Sequence, residues 1–129
     1  MTTPTTQERV TEIFGDAHLM RAQAIERLRA GDLRDAAEKA WCATKRATDA
    51  LILARTGVEI EFSPDTTRRL NALARTDGEL RPLRGRYFRR QAELHGGCFY
   101  LGSCEPEDEI QQLIERTADY IREAEGLAP

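Results

Sequence analysis

The chain has 129 residues, of which 40% are hydrophobic, 32% charged and 6% aromatic, the size and core-to-surface mix of one ordinary domain spanning 1–129. At this length roughly two-thirds of the unfolded surface can be buried, so a core forms without a disulfide framework or structural metal, and disordered, collagen-like and disulfide-scaffold classes are excluded. The net charge of −3 is segregated: residues 1–65 carry 9 basic and 11 acidic side chains, residues 66–95 carry 8 and 3, and the remainder 2 and 8. Ala, Leu, Arg and Glu dominate and β-branched residues are scarce, which predicts an all-α fold.

From Met1 to Arg9 the chain is polar and threonine-rich, without the apolar segment of an export signal. No window approaches the roughly 20 apolar residues needed to cross a bilayer, so no membrane is expected and the protein reads as cytoplasmic. Cys42, Cys98 and Cys104 form an odd set with no CxxC pair, which fits a reducing compartment and small buried hydrophobes better than a bridge framework. His95, Cys98 and Cys104 are three ligands with one long gap, a weak zinc pattern.

The first helix is expected to start near Thr5 or Thr6 and end before Gly31, with Val10, Ile13, Phe14, Ala17, Met20, Ala24 and Leu28 along one stripe. Gly31 stops it and Asp32 caps the next, a turn short enough to make the two helices an antiparallel hairpin. The second helix runs to about Thr56, with Gly57 as its stop. It buries many alanines and Trp41, which reads as a core anchor rather than a stacking platform. Val58 to Phe62 is an extended linker. Ser63-Pro64-Asp65 starts a short third helix through a hydroxyl cap, and Thr76-Asp77-Gly78 ends it.

A fourth helix begins between Glu79 and Pro82, its apolar arc taking in Leu83, Tyr87, Leu94, Cys98 and Leu101, beside a second row of Phe88, Ala92, His95 and Phe99. The last helix follows Pro106 and continues to about Glu125, its inner face formed by Ile110, Leu113, Ile114, Thr117, Tyr120, Ile121 and Ala124. Four long helices and one short one make a bundle. Arg68, Arg69, Arg75, Arg81, Arg84, Arg86, Arg89 and Arg90 either give one surface a positive field or pair with the acidic C-terminal helix.

Candidate chemistry lies in Arg89-Arg90-Gln91-Ala92-Glu93-Leu94-His95-Gly96-Gly97. A histidine titrates near neutrality and can take a proton from a ribose 2′-hydroxyl or give one to a leaving oxygen. An arginine's planar fork can hold a phosphate and oppose the charge that develops on it. On a straight α-helix Arg90 and His95 project about 140° apart, so a helix end at Gly96 or a second subunit is needed to bring them together. The alternative is a partly buried core histidine hydrogen-bonded to backbone. His18 has no such surroundings and reads as surface or packing.

Gly31-Asp32 with Ala36-Ala37-Glu38-Lys39-Ala40-Trp41, Leu94-His95 with Phe99-Tyr100, and Pro106-Glu107 resemble the PaREP family of small helical proteins, which is similar in turn to the HEPN superfamily (higher eukaryote and prokaryote nucleotide-binding). The resemblance spans roughly Ala24 to Ala124. It implies an up-and-down antiparallel helical bundle, a homodimer, and a metal-independent ribonuclease of toxin or defence type whose Arg-x4-His motif works across the dimer interface. On that resemblance His95 is the acid/base, Arg90 or less well Arg89 the phosphate-stabilising cation, and Arg86 and Arg89 flank the RNA cleft. No cofactor or metal is implied, and a nucleotidyltransferase antitoxin is the implied partner. Gln91 follows the motif arginine where active members often have Asn, Asp or His, and Gly97 stands where toxin members carry a tyrosine. The other implied function is a non-catalytic dimeric module that binds nucleotide, RNA or a partner protein, with His95 structural.

Overall fold

A computed structural model describes residues 3–129, so Met1 and Thr2 of the polar N-terminal stretch lie outside the described residues. Among those described the chain is all-α, with no strand. Helix α1 (Thr6–Arg29) begins at Thr5, whose hydroxyl accepts the Glu8 N–H at 3.1 Å. Helix α2 (Leu33–Thr56) begins at Asp32, whose carboxylate accepts the Asp35 N–H at 3.1 Å. The hairpin turn and the α2 stop fall at Gly31 and Gly57, with φ of 84° and 74°, a left-handed backbone that favours glycine. Ion pairs follow the antiparallel course of the hairpin: Arg9 to Glu59 at 2.8 Å, Asp16 to Arg46 at 3.3 Å and Arg27 to Asp32 at 2.8 Å. Between these pairs, fully buried Ala17 and Ala24 face an α2 rich in buried alanines, and such small side chains let two helices pack closely.

Helix α3 (Ser63–Thr76) starts one residue earlier than a Ser63 cap would require. Phe62 occupies the cap position, no side-chain cap bond forms, and the Phe62 carbonyl takes the Asp65 N–H. A 3-10 turn over Gly78–Leu80 leads into α4 (Arg81–Arg90), which passes without a break into a π-helical segment, Gln91–Tyr100. This stretch runs antiparallel to α2, with Arg90 reaching Thr44, His95 reaching Glu38, and Arg34 donating to the Phe99 carbonyl. Leu101, expected on the apolar arc, is 73% exposed because the wider π-helical turn takes it out of the α-helical phase.

The expected single last helix is two, α5 (Glu107–Glu115) and α6 (Thr117–Leu127), broken at Arg116. Arg90 accounts for the break. Its Nη1 donates to the Leu113 carbonyl, the group that would close a helical turn onto Thr117, and its Nη2 donates to the Thr117 hydroxyl. Helix α6 runs in the same sense as α2, joined by Thr48 to Tyr120 at 2.7 Å and by Arg55 to the Leu127 carbonyl at 2.7 Å.

The cysteines depart from expectation. Cys98 and Cys104 form a disulfide, S–S 2.00 Å, and Cys42 is exposed rather than buried. The loop after the π-helical segment turns back on itself, with the Ser103 N–H on the Gly97 carbonyl at 2.8 Å, and delivers Cys104 to Cys98. This pairing removes the cysteine argument for a reducing compartment and takes both sulfurs out of any zinc set. No described helix is long and apolar enough to cross a membrane.

Candidate functional site

The π-helical segment revises the expected relation of Arg90 and His95. Where hydrogen bonds run i→i+5, about 4.4 residues make a turn, so residues five apart project roughly 50° rather than 140° from each other. Arg90 and His95 accordingly both reach α2, one at Thr44 and the other at Glu38. The widened turn carries Gly96 and Gly97, the residues least committed to an α-helix.

Arg90 is 3% exposed. Its Nε donates to the Thr44 hydroxyl at 2.8 Å, its Nη1 to the Leu113 carbonyl at 2.9 Å and its Nη2 to the Thr117 hydroxyl, and its carbon lies over the Tyr120 ring. All three acceptors are neutral. Burial pushes the guanidinium down to about 10, with the neighbouring Arg89 charge acting in the same direction and Tyr120 against it, so it stays cationic at neutral pH. Burial of a charge without a counter-charge is costly, and the cost marks a place where an anion is welcome.

The buried guanidinium lies at the floor of a groove of about 510 Å³ between α4 and the α5–α6 break. Arg86, Arg89 and Arg116 join Arg90 in its lining, against Asp119 and Glu123. Arg86 is bound fork-to-fork by Glu123, with Nε to Oε1 at 3.0 Å, and Arg89 is bound by Glu93 at 2.9 Å. Of the arginine run, Arg86 is thus the one that pairs with the acidic C-terminal helix; Arg68 pairs locally with Asp65.

His95 is not among the groove's lining residues. Its Nδ1 lies 2.9 Å from both carboxylate oxygens of Glu38, so its bond goes to a carboxylate and not to backbone, and its side chain is 44% exposed. Trp41, buried as expected of a core anchor, packs on Tyr87 with ring centroids 5.2 Å apart, and its ring centroid lies 6.0 Å from that of the imidazole. His18 lies on the surface, 3.2 Å from Glu125. Glu38 and Arg116 escape a reading by periodicity. The available signal for Glu38 is its place one turn before Trp41 on α2, which puts it on the flank that meets the fourth helix.

The helices and this site define an all-α protein organised around a buried arginine and a carboxylate-bound histidine. The archaeal PaREP1/PaREP8 family model matches residues 16–124, and the chain belongs to that family. No curated protein and no solved structure matches it.

Proposed function

We propose that the protein is a HEPN-like helical bundle of up-and-down topology that acts on RNA in the cytoplasm as a metal-independent ribonuclease, with His95 as acid/base and Arg90 as the cation facing the phosphate. The observation that carries this reading is the buried, uncompensated Arg90 beneath an arginine-lined groove, five residues before a half-exposed histidine on the same continuous helical stretch. A phosphodiester supplies the missing negative charge. Arg86 and Arg89 flank the same groove as backbone contacts.

In the reaction the 2′-oxygen attacks phosphorus while His95 Nε2 takes its proton. The P–O5′ bond breaks, the imidazolium returns a proton to the departing 5′-oxygen, and a 2′,3′-cyclic phosphate and a 5′-hydroxyl result. The Arg90 charge opposes the negative charge growing on the non-bridging oxygens. Because His95 and the groove lie on different flanks of the same helix, a homodimer is the arrangement in which one subunit's histidine meets the other's groove. A nucleotidyltransferase antitoxin is the partner this reading carries with it.

The test is incubation of labelled RNA with purified protein in EDTA. Cutting by the wild type that disappears in His95→Ala, with helical content retained, supports the reading. Equal cutting by both, or none by the wild type, overturns it.

A second reading is a non-catalytic dimeric module that binds RNA, a nucleotide or a partner protein through the same groove. The observation that favours it is the enclosure of Arg90, whose donors already serve Thr44, Leu113 and Thr117. RNA bound and recovered intact from wild type and His95→Ala alike supports this reading and excludes the first.

A further inference from the structure

The His95 imidazole has three neighbours. Glu38 meets Nδ1 through both carboxylate oxygens at 2.9 Å, Phe99 stacks on the ring at a centroid distance of 6.2 Å and an interplanar angle of 21°, and Trp41 lies 6.0 Å away. The Glu38 side chain is 19% exposed against 44% for His95, so the carboxylate is the more buried partner of the pair. Among the described residues nothing hydrogen-bonds Nε2.

An ionised carboxylate only accepts hydrogen bonds, so the proton between Glu38 and His95 belongs to the ring and resides on Nδ1. The other nitrogen then carries the lone pair. We propose that Glu38 is a positioning residue, which holds His95 as its Nδ1–H tautomer and thereby makes Nε2 the proton-accepting atom. When Nε2 gains a proton, the imidazolium forms beside the Glu38 charge, with Phe99 stacked on its ring. Neither packing alone nor a backbone acceptor would combine a fixed tautomer, a fixed ring plane and a counter-charge.

This inference deepens the ribonuclease reading, and its catalytic part rests on it; the tautomer does not. The measurement is a long-range proton–nitrogen correlation spectrum of protein with ¹⁵N-labelled histidine, recorded at alkaline pH so that neutral rings are observed. The chain has 2 histidines, and a His18→Gln spectrum assigns the other. The expected wild-type pattern has His95 Nδ1 protonated and Nε2 bare, and Glu38→Leu moves the ring toward the Nε2–H form. A wild-type ring protonated on Nε2, or a pattern unchanged in Glu38→Leu, overturns the proposal without requiring any activity.

In parallel, RNA cutting by Glu38→Leu is expected to lose at least about tenfold in kcat with KM nearly unchanged, the mark of an interaction that strengthens in the transition state. Unchanged kcat overturns the catalytic part. A wild type that shows the Nδ1–H form but cuts no RNA supports the positioning role and removes the ribonuclease reading alone.

Discussion

The Arg90 guanidinium carbon stands 5.7 Å over the centre of the Tyr120 ring, while the Tyr120 hydroxyl is bonded to Thr48 at 2.7 Å. One ring therefore presents its negative face to a buried cation and its polar edge to α2. Burial raises the Tyr120 phenol above its ordinary range, so it stays neutral and gives Arg90 no counter-ion.

Exchanging this cation for an apolar side chain of similar length removes an unpaired charge from the core. Arg90→Met is expected to unfold at the same denaturant concentration as the wild type or higher, because a buried charge often costs more than its hydrogen bonds return. RNA binding by the variant is expected to fall. Urea titration beside a filter-binding assay checks both, and a stability loss above about 2 kcal/mol would mean that the bonds to Thr44, Leu113 and Thr117 outweigh the desolvation.

Arg86 and Glu123 make opposite predictions at one rim. Arg86→Gln is expected to weaken RNA binding and lower the salt dependence by about one phosphate contact. Glu123→Gln frees the arginine that it now holds and is expected to strengthen binding. Binding curves at two salt concentrations decide; equal affinities for both variants would place the RNA elsewhere.

Asp49 bears on pH. It is buried, accepts from the Thr66 hydroxyl at 2.6 Å and lies 3.4 Å from Lys45, and burial raises its carboxyl above the ordinary carboxylate range despite these partners. A raised acid favours the fold while protonated, so its contribution is complete at low pH and is lost as pH rises through the folded value. Asp49→Asn is therefore expected to melt higher than the wild type at pH 7, with the gain vanishing at acid pH. Thermal melts across the acid range measure it, and a gain that persists to low pH would rule out titration as its source.

Gly96 lies within the π-helical segment, and a Cβ there would meet the Gln91 carbonyl at 3.7 Å, an ordinary contact. Gly96→Ala is expected to stabilise the protein by about 0.4–1 kcal/mol through reduced freedom of the unfolded chain. A lower urea midpoint would show that the widened turn depends on a bare backbone at this position.

Much of the fold was readable because its signals are local. Asp32 caps α2 and Gly57 ends it as their backbone chemistry requires, and Trp41 falls on the buried stripe. The failures share a non-local cause. The break at Arg116 follows from a guanidinium delivered by another helix, and no feature of Leu113 to Thr117 alone announces it. Leu101 and the Arg90–His95 angle depart from a period of 3.6 because this stretch is bonded i→i+5. Glu38 lies 57 residues from His95, a separation at which periodicity says nothing. The Cys98–Cys104 pairing depends on a loop reversal rather than on cysteine count.

Between Arg34 and Thr44, helix α2 serves in turn the carbonyl end of the π-helical segment, His95 through Glu38, and Arg90. That stretch is a ruler with three marks. Adding or deleting one residue inside it would rotate the marks by about 100° relative to one another and separate at least one from its partner. This span can therefore change by substitution but not by a change of length.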